Sequence, residues 1–66
     1  MTPWQRVHKK FGLPTAELAR RLGRDRSKVY RHLKDEEGLI SGQDQKLIIA
    51  AAERAGVEIT PSDLVP

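Results

Sequence analysis

LARRLGRDRSKVYRHLK, residues 18–34, sets Arg20, Arg21, Arg24, Arg26, Lys28, Arg31 and Lys34 against one acid, Asp25. Its apolar residues recur at helical spacing on both sides of Gly23: Leu18, Ala19 and Leu22 before it, Val29 and Leu33 after it. Glycine is the residue that stops a helix in the left-handed conformation. Asp25 is a good N-cap for a new helix, and its carboxylate suits the positive helix end. Two short helices are therefore expected, Thr15–Leu22 after Pro14 and about Arg26–Lys34, joined by a tight turn.

At about 100° per residue, Val29 and Leu33 fall within about 40° of each other and mark the buried side of the second of these helices. Ser27, Arg31 and Lys34 then point away from the core, flanked by Lys28 and Tyr30. Arg26 lies in the first turn, where a long side chain can swing outward.

The flanking segments predict further helices. Thr2-Pro3-Trp4-Gln5 combines a threonine cap, proline at the first helical position and Gln at the third. Trp4, Val7, His8 and Phe11 follow at helical spacing, and Gly12 offers a stop. An acidic connection, DEEGLISG, leads to Ser41, which with Asp44 caps a longer helix ending at Ala55 before Gly56. Leu47, Ile48, Ala51, Ala52 and Ala55 form its apolar face, while Ile49 falls opposite with Lys46 and Glu53. Thr60-Pro61-Ser62-Asp63 repeats the opening device, with Ile59 and Leu64 placed to staple across one last turn. The expectation is a single all-α domain over residues 1–66, a compact bundle of about five short helices.

With 66 residues and no cysteine, the core must be apolar packing alone. His8 and His32 are far apart and lack ligand-spaced partners, so no metal site or cofactor is expected. No nucleophile–base pair or paired carboxylates appear, which speaks against an enzyme. The longest apolar run, Leu47–Ala52, is too short to span a bilayer, so a soluble intracellular protein without membrane association is expected. Charge is segregated. Residues 1–34 hold ten Lys and Arg against two acids, a balance of +8, and residues 35–66 hold two against seven, a balance of −5. Such polarity suggests a polyanionic partner for the N-terminal half.

Double-stranded DNA suits that partner. Its major groove admits one helix, and guanine there shows two acceptors that an Arg can engage. Arg26, Ser27, Lys28, Tyr30 and Arg31 are the candidates for base edges. Thr15, Arg20, Arg21, Arg24 and Lys34 are the candidates for phosphates, which set the register. Each has a plainer reading as well. A basic helix is often only a solvated face, Tyr30 could cover the rim of the core, and His32 reads as a half-buried packing residue.

PTAELARRLGRDRSKVYRHLK resembles the helix-turn-helix of the phage Cro and repressor superfamily, matching at Leu18, Ala19, Leu22, Gly23, Val29 and Leu33. The ending AAERAGVEITPSDLVP is similar to that of small Cro-like proteins of the YdaS type. The resemblance implies a repressor in the cytoplasm of a bacterial cell, phage or prophage encoded, acting on a short pseudo-palindromic operator as a weak homodimer or as a dimer formed on DNA. No small-molecule ligand is implied. Four positions depart from the pattern. Thr15 and Arg26 stand where many relatives carry Gln, Arg24 where Val is usual, and His32 where a more apolar residue is found, so the scaffold carries over and the base code does not. Ile49, Ile59, Leu64 and Val65 are the apolar candidates for self-association in the acidic half. The alternatives are an antitoxin-like module that binds a partner protein, and an RNA-binding bundle, disfavoured by the absence of a strand-borne aromatic platform.

Overall fold

In a computed structural model that describes all 66 residues, Pro3–Phe11 form α1, Thr15–Leu22 form α2, Arg26–Lys34 form α3 and Gly42–Ala55 form α4. Pro61–Asp63 add one 3-10 turn, and there are no strands. The architecture is all-helical, with four α-helices in place of the expected five. The fifth expected element is a single turn, capped reciprocally by Thr60 and Asp63 and closed by the Leu64 amide on the Pro61 carbonyl. No helix is long and apolar enough to cross a membrane.

Local chemistry sets each boundary. At α1, the Gln5 amide donates to Thr2 Oγ1 at 3.2 Å and the Thr2 amide donates to Gln5 Oε1 at 3.1 Å, a reciprocal capping box. At α3, the Ser27 amide donates to Asp25 Oδ1 at 2.8 Å. At α4, the Asp44 amide donates to Ser41 Oγ at 3.2 Å, but the Asp44 carboxylate does not return the bond and turns to Arg24 instead. Gly23 ends α2 at φ +70°, and the Arg24 amide reaches back to the Ala19 carbonyl at 2.9 Å. This left-handed position accepts glycine without strain and lets α3 depart sharply.

One apolar cluster runs through the helices. Trp4, Val7, Leu18, Val29 and Ile48 are its fully buried large side chains, joined by Phe11, Leu22, Ile40, Ala51, Ala52 and Leu64. Leu33 and Leu47 pack against it while partly exposed. Ala55 departs from expectation: it is exposed at the last residue of α4, where the helix has passed beyond the core. Gly38 is held where the α3–α4 connection crosses the start of α1. Its carbonyl accepts from the Trp4 amide at 3.2 Å, and a Cβ there would lie 2.4 Å from Thr2 Cβ.

The C-terminal turn docks on α1. Asp63 accepts from Lys10 Nζ at 2.7 Å and from the Thr60 amide and hydroxyl, each at 2.9 Å. The Arg6 guanidinium donates to the Val65 carbonyl and, at 2.9 Å, to that of Met1. The Lys10 ammonium above all, and then the Thr60 amide, hold the Asp63 carboxyl down at about 2, below its ordinary value of 3.8. Because the folded value is depressed, the stabilisation is present above pH of about 4 and lost as pH falls through about 2. Asp63→Asn is therefore expected to melt earlier than the parent at neutral pH, with the gap closing as thermal melts are taken down to pH of about 2. A gap that stays constant with pH would show that the carboxylate charge is not what secures the turn.

Candidate nucleic-acid interface

Val29 anchors α3 with its side chain wholly inside the core. Arg26, Ser27, Lys28, Tyr30, Arg31 and Lys34 are all exposed, as the helical spacing predicts. The cations of α3 differ from those of α2 in one respect that bears on ligand binding. Arg26, Lys28 and Arg31 make no ion pair or side-chain hydrogen bond within the protein, and no carboxylate competes for them. Lys34 stands over the Tyr30 ring, with its ammonium 4.6 Å from the ring centroid. Tyr30 is 52% exposed, so it is braced by a cation on the surface and does not roof the core.

On α2, Arg20 and Arg21 both lean on Glu17, Arg21 Nε at 3.5 Å. Hydrogen bonding to Arg20 is the main reason the Glu17 carboxyl lies below its ordinary value. Exposed pairs of this kind are weak and screened by water, so phosphate oxygens can displace Glu17. Arg24 is different. Its Nε donates to Asp44 Oδ1 at 2.9 Å, its side chain is only 25% exposed, and Asp44 is buried at the start of α4. The turn residue named as a phosphate contact is thus engaged with the fourth helix. The Thr15 hydroxyl, half-buried, lies 3.4 Å from His8 Nε2.

Thr15, Ala16, Arg26, Ser27, Tyr30 and Arg31 line one open depression of about 500 Å³. The structure therefore brings Thr15 together with four of the five base-edge candidates. Lys28, Arg20, Arg21 and Lys34 lie outside it.

Three contacts that fix the pose of α3 escaped the reading of the sequence. His32 stacks on Trp4, with ring centroids 5.0 Å apart and planes 1° from parallel. Gln5 Nε2 donates to the Leu33 carbonyl at 3.1 Å near the end of α3. The Arg24–Asp44 pair secures its beginning. The signals were present as a Gln at the third position of α1, a His inside the basic helix and an acid three residues after a serine cap, but each had a sufficient local explanation. His32 is half-buried, as expected, and the Trp4 Nε1 and His32 Nε2 atoms have no hydrogen-bond partner within the protein.

Away from this face, Ile49 is 44% and Val65 48% exposed. Leu64 is not available for self-association: it is buried, because the capped turn folds it back under α1. Ile59 is likewise partly withdrawn against the core. Leu39, not singled out from the sequence, is 50% exposed. No group of three or more acidic or histidine side chains is assembled as a metal site. Comparison with protein-family models, with curated proteins and with solved structures finds no match.

Proposed function

We propose that this protein is a sequence-specific regulator that binds double-stranded DNA, with α3 in the major groove and α2 bracing the backbone. One observation carries the reading: α3 buries Val29 on one side and presents the unpaired Arg26, Lys28 and Arg31 on the other, while every cation of α2 has a carboxylate partner. Free guanidinium groups on an exposed, rigidly held helix meet the geometric need of guanine recognition. The +8 balance of residues 1–34 supplies the attraction to phosphate, and the −5 balance of residues 35–66 orients the domain by repulsion. In this reading the regulator is Cro-like and represses from a short operator.

Selection of binding sites from a random duplex pool tests the reading directly, since a groove reader enriches a defined sequence and a merely basic surface does not. On the enriched site, Arg31→Ala is expected to cost about 1–3 kcal/mol and to relax base choice at one or two positions. Equal loss on random DNA would reassign Arg31 to the phosphates.

A single nine-residue helix reads few base pairs, which favours two copies on a site with two-fold symmetry. The domain measures 28 Å in its longest extent. A two-fold site asks the two α3 helices to lie one duplex turn, about 34 Å, apart, a span of the same order as the domain itself. Ile49 and Val65 are the exposed apolar residues left for that contact once Leu64 is assigned to the core. So small a patch suits a dimer that forms on DNA. Ile49→Asp is expected to leave the monomer folded and to weaken binding to a two-half-site duplex far more than to one half-site. Equal effects on both duplexes would place the dimer contact elsewhere.

A further inference from the structure

The depression beside α3 has walls that phosphate or guanine recognition alone does not require. Ala16, at the start of α2, and Tyr30, in the middle of α3, are both exposed, so the core does not need them. They line one concavity together with Thr15, Ser27 and the unpaired Arg26 and Arg31. Lys34 stands over the Tyr30 ring, 4.6 Å from its centroid, and does not itself line the depression. The result is a partly apolar recess lined by two guanidinium groups.

In the major groove a duplex presents one kind of apolar projection, the methyl group at C5 of a pyrimidine, and guanine presents the paired acceptors that suit a guanidinium. We propose that this recess receives a 5-methylpyrimidine lying next to a guanine, with the methyl group against Ala16 and Tyr30 and the guanine engaged by Arg31 or Arg26. The inference rests on the DNA-binding reading and adds to it the identity of one base step in each half-site. At about 500 Å³ the hollow is open and has room for a methyl group together with the base edge that carries it. Thymine and 5-methylcytosine carry the same methyl group in the same place, and the recess suits either.

The test uses duplexes enriched by the intact protein from a random pool, with each thymine replaced in turn by uracil and each cytosine beside a guanine replaced by 5-methylcytosine. If thymine is the occupant, uracil at one position per half-site weakens binding about fourfold, the worth of one buried methyl group. If methylated cytosine is the occupant, its introduction at one position strengthens binding by about the same factor. In either arm the methyl effect should vanish in Tyr30→Ser, an exposed site where the substitution leaves the core intact. A flat profile on a tightly bound duplex, or a methyl effect that persists in Tyr30→Ser, overturns the proposal and leaves DNA binding standing. Failure to enrich any duplex overturns the DNA-binding reading, and this proposal with it.

Discussion

Arg24→Ala is expected to lower the stability of the domain by about 2 kcal/mol, although Arg24 lies in a surface turn far from the middle of the core. The cause is its partner. Asp44 is 6% exposed, and Arg24 supplies its only cationic contact, at 2.9 Å. Removing one member of a buried pair leaves the other desolvated and uncompensated, which costs about 3–5 kcal/mol when both are fully buried. Since a quarter of the Arg24 side chain is open to water, the smaller figure applies. In a chain of this size about 2 kcal/mol moves the melting temperature by roughly 10 °C. Replacing both partners together, Arg24→Met with Asp44→Leu, should recover much of the loss, because no charge is then left without a partner. The same variants separate structure from binding. If Arg24 acts through Asp44, Arg24→Ala at a temperature where it remains folded should leave the salt dependence of DNA binding unchanged. A slope reduced by about 1, with melting unaltered, would return Arg24 to the phosphates.

DNA binding is expected to weaken about a hundredfold per bound domain as salt rises from about 50 to 200 mM. Arg20, Arg21 and Lys34 are the phosphate candidates outside the recess, Lys28 lies outside it as well and is counted with them, and each neutralised phosphate contributes about 0.9 to the slope of log affinity against log salt. Glu17 tempers two of them. It pairs with Arg20 and Arg21 in the free protein and leaves a negative charge beside the DNA backbone in the complex. Glu17→Gln should therefore tighten binding several-fold at low salt, on specific and random duplexes alike. Association that ignores salt, or a Glu17→Gln variant that binds no better, would remove the electrostatic part of the mechanism.

The helices and the polarity of the site were legible in the sequence because they are local. Thr2 with Gln5, Asp25 and Ser41 each satisfy amides within a few residues, and Gly23 relaxes the turn in which it sits. The spacing of Leu18, Ala19, Leu22 and Val29 places the cations opposite the buried side wherever the helices pack. What lay beyond local chemistry depends on residues distant in the chain. Leu64 reads as an exposed tail residue, yet Asp63, tied to Lys10 of α1, draws it into the core. Arg24 reads as a free charge until α4 brings Asp44 to it, and Asp44 reads as half of a capping box until Arg24 takes its carboxylate. His32 has no meaning in the sequence of α3 alone, and acquires one only where Trp4 lies flat against it. Hydrogen bonds within a helical turn and a period of about 3.6 residues are properties of a short segment, and so the sequence by itself determined which residues form helices and which face carries charge. Ion pairs, stacked rings and burial depend on the approach of whole helices, and so only the tertiary structure decided which of those charges are free.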